Sequence, residues 1–138
     1  MARWVCPRCD REFGRANQSH TCVPAGTVDD SFAGHPPQQR AVYDAVLDHL
    51  LSLGPVHEDA TGVGVFLKRD RKLAEVRPRS RDVTLALYLP REVRHPRITR
   101  VYRVGAHRAW HVIPLRAPDE VDDEVCGWLT EAFLDASD

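Results

Sequence analysis

No apolar run in this chain approaches the roughly 18 residues that a membrane-spanning helix requires. The opening MARWVCPRC lacks the apolar stretch of a secretory signal. Both absences predict a cytoplasmic protein with no membrane partner. A glycine-rich phosphate loop is also missing, because GVGV (62–65) has neither the third glycine, nor the lysine, nor a following helix. His95, His107 and His111 have no serine or cysteine partner in a catalytic arrangement, so they read as structural or surface groups. Cysteine is scarce, with four in 138 residues, yet three of the four fall between positions 6 and 22. In a reducing compartment such a cluster points to metal rather than disulfides.

The spacing is C-x2-C-x10-H-x-C, from Cys6, Cys9, His20 and Cys22. Zinc takes four thiolate or imidazole ligands tetrahedrally in closed structural sites. The turn Cys6-Pro7-Arg8-Cys9 presents two sulfurs to one ion, and His20 with Cys22 completes the set; His35 is the competing fourth ligand. With four protein ligands the ion keeps no open position, so the expected Zn2+ is structural. DNA-reading Cys2His2 fingers place their paired histidines one helical turn apart. Here the second pair is separated by a single residue, so no recognition helix is implied. Trp4 and Phe13 would form the small core of this loop. Cys126, beside Val125 and Trp128, reads as an ordinary core thiol.

Residues 25–37, AGTVDDSFAGHPP, carry no apolar period and read as a linker between a 1–24 zinc module and a 38–138 domain. A helix is predicted from Pro37 to Gly54, with Val42, Val46 and Leu50 on one ridge and Tyr43, Leu47 and Leu51 on the next. Five short strands are predicted at 62–69, 72–78, 82–90, 98–105 and 108–115, with a tight turn at Asp70-Arg71. A second helix opens at Pro118, its first turn acidic where the helix dipole favours negative charge. The expected fold is therefore α+β: helix, about five antiparallel strands, helix, in two layers.

The net charge of -1 hides a segregation. Residues 66–116 hold 14 Lys and Arg against 4 Asp and Glu, whereas residues 117–138 hold 8 acids and no base. Either the last helix neutralises the basic strands, or a basic face stays open to a polyanion. Lys68, Arg69, Arg71 and Lys72 cluster at one hairpin and Arg77, Arg79 and Arg81 at the next turn. Guanidinium forks match phosphate geometry, and Tyr88, Tyr102 and Trp110 on neighbouring strands offer stacking faces for a single strand. The leading expectation is a non-enzymatic, zinc-stapled protein that binds nucleic acid through those hairpins. A metal-dependent nuclease using Glu58, Asp70 or Glu75 is the enzymatic alternative, and a protein-interaction module is the third.

The segments YDAVLDHLLSLGPVHED (43–59), FLKRDRKLAEVRP (66–78) and PDEVDDEVCGWLTEAF (118–133) resemble a bacterial family known only as domain of unknown function 5655. The resemblance spans roughly residues 38–136. It implies a compact α+β domain in a cytosolic protein, and it implies no activity and no catalytic residues.

Overall fold

A computed structural model describes residues 3–8, 12–19 and 27–137. Two short strands, β1 (Trp4–Val5) and β2 (Glu12–Phe13), pair antiparallel as a ribbon near the N-terminus. Then follow α1 (Val28–Phe32), α2 (Pro37–Leu53), six strands and α3 (Asp123–Asp135). The strands are β3 (His57–Ala60), β4 (Val65–Lys68), β5 (Lys72–Pro78), β6 (Val83–Leu89), β7 (Arg100–Val104) and β8 (Arg108–Leu115). They form one antiparallel sheet in the order β3-β4-β5-β6-β8-β7. Neighbours in sequence are neighbours in the sheet except at β6 to β7, where residues 90–99 carry the chain past β8 to the edge.

The α+β class and the antiparallel sheet agree with the sequence expectation, but the sheet has six strands rather than five. The additional one is β3, HEDA, too short and too charged to show an apolar period. It holds its place because Asp59 is neutralised inside the fold. A second difference lies in residues 25–37, where a linker was expected. Thr27 caps α1 through a reciprocal box with Asp30, and Phe32 is buried in the main core. The last helix also begins later than Pro118: a 3-10 turn covers Pro118–Glu120, and the Asp122 side chain caps α3 at the Val125 amide.

Strand alternation divides the sheet into two faces. Val65, Leu67, Val76, Leu85, Leu87, Ile113 and Leu115 point to one side, all fully buried against Val42, Val46 and Leu50 of α2 and Val125, Leu129 and Phe133 of α3. At about 1.5–3 kcal/mol per large apolar side chain, this layer is the main stabilising feature of the fold. Tyr43, buried in the same layer, donates its hydroxyl to Glu58. Among the described residues the opposite face carries no helix, and it is where the candidate site lies.

The N-terminal ribbon packs on that opposite face, over the β3–β4 end. Lys68 and Asp59 meet there at 2.8 Å, with side-chain exposures of 3% and 4%. The Lys68 ammonium also donates to the Glu12 carbonyl at 3.3 Å and sits 4.7 Å from the Phe13 ring centroid. Arg3 donates to the Arg69 carbonyl. Gly14 lies so close to the β4–β5 turn that a Cβ there would stand 2.7 Å from the Asp70 carbonyl oxygen. Residues 3–8 and 12–19 are thus docked on the domain rather than tethered beside it.

Candidate nucleic-acid interface

The register of the sheet sets three rows of side chains on the helix-free face. Phe66, Glu75, Ala86, Val112 and Arg100 are opposite one another across β4, β5, β6, β8 and β7. One step along, Tyr88, Trp110 and Tyr102 form an aromatic row across β6, β8 and β7. One step the other way, Arg77, Thr84 and Pro114 form the third row. The Tyr88 and Trp110 ring centroids are 5.0 Å apart with an interplanar angle of 41°. Tyr102 is 50% exposed, so its ring is open to contact.

Two adjoining cavities occupy this face and share Lys72 and Trp110. One, of about 720 Å³, lies over the three rows, with Lys72, Arg77, Arg79 and Arg100 around it. The other, of about 750 Å³, is walled by Arg3, Gly14, Arg15 and Gln18 of the N-terminal segment and floored by Tyr88 and Trp110. Together they make a groove with an aromatic floor and cationic margins. The docked N-terminal segment is one of its walls.

The first row contains one acid. Glu75 is half-buried, and burial pushes its carboxyl above the ordinary carboxylate range, opposed by Arg77, Lys72 and Arg79. Its nearest ionic partner is Arg77, at 3.9 Å, beyond hydrogen-bonding distance. Among the described residues no hydrogen bond to the Glu75 carboxylate is formed.

The four hairpin cations line the larger cavity and also make contacts within the fold. Lys68 is spent on Asp59, the Glu12 carbonyl and the Phe13 ring. Arg69 donates to the Phe133 carbonyl at 2.8 Å and stacks 3.9 Å from the Phe133 ring centroid. Arg71 donates to the Asp135 carbonyl. Lys72 lies 4.1 Å from the Phe66 centroid and borders the groove. The hairpin therefore fastens α3 and the N-terminal segment to the sheet. Arg77 and Arg79 border the groove, while Arg81, at the β5–β6 turn, is exposed and lines neither cavity.

The acidic last helix pairs elsewhere. Arg91 meets Glu131 through two bonds of 2.9 Å, Arg97 reaches Asp122 at 2.9 Å and Glu124 at 3.2 Å, and Arg108 reaches Asp135. Arg103 approaches Glu92 at 3.4 Å. Arg100 donates to the Tyr102 hydroxyl at 3.0 Å, and no acid on α3 is paired with it among the described contacts. The charge segregation thus resolves both ways: α3 neutralises the loop at 91–97, and the groove keeps Arg77, Arg79 and Arg100.

Glu58, Asp70 and Glu75 are not brought together. Glu58 pairs in register with Leu67 on the helix-covered side, where it accepts the Tyr43 hydroxyl. Glu75 lines the smaller cavity, and Asp70, in the β4–β5 turn, lines the larger one. The pair on opposite faces cannot hold one divalent ion, as a nuclease centre requires. His111 is fully buried; its Nε2 accepts the Val93 amide at 2.8 Å, which leaves Nδ1 protonated toward the Leu87 carbonyl at 3.4 Å. His95 bridges to Glu124 at 2.9 Å, against the Trp128 edge.

Of the expected metal ligands, Cys9, His20 and Cys22 lie outside the described residues. Cys6 is buried with Phe13, Trp4 packs against the two, and Pro7-Arg8 forms a turn, as the expected small core requires. His35 stands 3.1 Å from the Arg79 carbonyl through Nδ1, which ties it to the β5–β6 turn. Among the described residues no group of three or more potential ligands converges, and no helix is long and apolar enough to cross a membrane.

A family described as "Domain of unknown function (DUF5655)" matches residues 28–136. That span begins at α1, ten residues before the resemblance read from the sequence, in agreement with the burial of Phe32. No curated protein and no solved structure matches the chain.

Proposed function

The chain belongs to the DUF5655 family, which carries no assigned activity, and from that premise we propose that it is a non-enzymatic binding protein for single-stranded nucleic acid. The observation that carries this reading is the Tyr88–Trp110–Tyr102 row, laid across three strands and bordered by Lys72, Arg77, Arg79 and Arg100. Proteins that take single strands combine ring faces for the bases with cations that track the backbone. Duplex DNA keeps its bases stacked inside and offers no ring to these side chains. The groove, with the hairpin at 68–72 as part of its margin, is the contact surface in this reading.

The N-terminal segment contributes Arg3 and Arg15 to the groove wall. We infer that Cys6, Cys9, His20 and Cys22 hold a structural Zn2+ that fixes this wall; the ligand spacing and the burial of Cys6 beside Phe13 support it.

The test is fluorescence anisotropy of the full chain with labelled single-stranded DNA, single-stranded RNA and duplex DNA across a salt series. Single strands are expected to bind more tightly than duplex, with log affinity falling linearly against log salt. Equal affinity for duplex and single strands would reject the stacking role. Absence of binding at low salt would reject the nucleic-acid reading and favour a protein partner.

A further inference from the structure

Within the reading just proposed, on which this inference rests, the groove contains a group that backbone binding does not need. Phosphate contact requires cations, and stacking requires rings, whereas Glu75 repels phosphate. It stands in the middle row, between Phe66 on β4 and Ala86 on β6. Adjacent strands are about 4.8 Å apart, so the methyl group of Ala86 leaves a low floor directly beside the carboxylate. Val112 continues that floor on β8, and Trp110 rises two residues before it on the same strand. A base lying over Ala86 and Val112 beside Trp110 would turn one edge toward Glu75.

An ionised carboxylate only accepts hydrogen bonds. Its two oxygens match an edge with two adjacent donors and clash with an edge that sets an acceptor beside a donor. Among the common bases only guanine presents two adjacent donors, N1–H and the N2 amino group. Adenine and cytosine set one amino group beside an unprotonated ring nitrogen, and thymine or uracil sets one N–H between two carbonyls. Unpaired strands expose these Watson–Crick edges to side chains. Glu75 forms no hydrogen bond among the described residues, so both oxygens are available to such an edge.

We propose that Glu75 reads guanine, making the groove a guanine-selective single-strand site. Lys72, Arg77 and Arg79 lie around the carboxylate and oppose the upward push of burial on it, favouring the acceptor form, while they also receive the flanking phosphates.

The experiment uses the full chain and labelled dT octamers in which one central position is G, A, C or T. The G octamer is expected to bind about tenfold more tightly than the other three, the discrimination of one good bidentate pair. Glu75→Gln should remove that preference, while the all-T octamer binds at least as tightly as to the wild type because the acid no longer repels phosphate; that binding also shows that the variant is folded. Glu75→Ala should behave alike. Binding of all four within twofold overturns the guanine assignment and leaves the strand-binding reading standing. No binding of any octamer overturns both. Displacement by free GMP as effective as by the unlabelled G octamer would uphold the guanine assignment and overturn the strand.

Discussion

The Lys68 ammonium and the Asp59 carboxylate meet at 2.8 Å in a space closed by the Phe13 ring and the Glu12 carbonyl. A lysine in a run of basic residues, KRDRK, is thereby removed from the protein surface. The two charges tolerate burial because each neutralises the other and the carbonyl accepts a further hydrogen bond from the ammonium. Removing one partner leaves an uncompensated charge inside the protein. Asp59→Ala is expected to lower unfolding stability by about 3–5 kcal/mol, measured by urea denaturation. The double variant Asp59→Leu/Lys68→Met should recover most of that loss. A loss below about 1 kcal/mol would mean that the pair behaves as an exposed one.

The same contact couples the N-terminal segment to the domain. Were the segment independent, losing the proposed zinc would unfold residues 1–24 alone. With Phe13 covering Lys68 and Gly14 pressed against the Asp70 carbonyl, loosening it exposes a buried ion pair. Cys6→Ser is therefore expected to abolish zinc retention, measured by elemental analysis, and to lower the melting temperature of the whole chain in the same preparation. A variant that loses zinc yet melts at the wild-type temperature would show that the wall is not held by metal.

Periodic elements were legible in the sequence. The ridge Val42, Val46, Leu50 and the alternation Val83, Leu85, Leu87, Leu89 both bury a continuous face, and local patterning reports burial directly. The strand β3 was not, because HEDA owes its place to a partner on another strand. The groove was half legible. Tyr88, Trp110 and Tyr102 could be named as stacking faces, but their alignment depends on β8 inserting between β6 and β7, a crossover that no local pattern encodes. The internal partners of the hairpin cations were not legible for a related reason. A sequence counts charges, while burial by Phe13 and Phe133 decides which of them still face solvent. Glu75 carried a detectable signal, an acid in a basic strand; its adjacency to Ala86 is the part that required the fold.

Aromatic and cationic residues in the groove should separate by their salt behaviour. Trp110→Ala is expected to weaken single-strand binding by about 1–3 kcal/mol at every salt concentration, because stacking does not release counterions. Arg100→Ala should instead flatten the slope of log affinity against log salt by about one, as loss of one phosphate contact does. Arg81→Ala, at an exposed turn outside the groove, should change neither. If Trp110→Ala and Arg81→Ala behaved alike in anisotropy titrations, the groove would not be the contact surface.

Acid should destabilise the fold through one buried and one half-buried imidazole. Burial holds His111 below the ordinary histidine range, opposed by hydrogen bonds to the Leu87 and Ala109 backbone. His57 is lowered first by burial and then by Arg3. The unfolded chain takes up these protons near the ordinary value of about 6.5, while the folded chain resists until lower pH. Between those limits the unfolded state binds more protons, so stability rises with pH there. The contribution is complete above about 6.5, declines as pH falls below it, and levels off once the lowered folded value is passed. Protonation would also cost Nε2 its role as acceptor for the Val93 amide. Urea midpoints measured from pH 7.5 to pH 5 are expected to fall, and His111→Gln should reduce the fall while lowering stability at pH 7.5. An unchanged pH profile in His111→Gln would assign the acid sensitivity to His57 and the N-terminal wall instead.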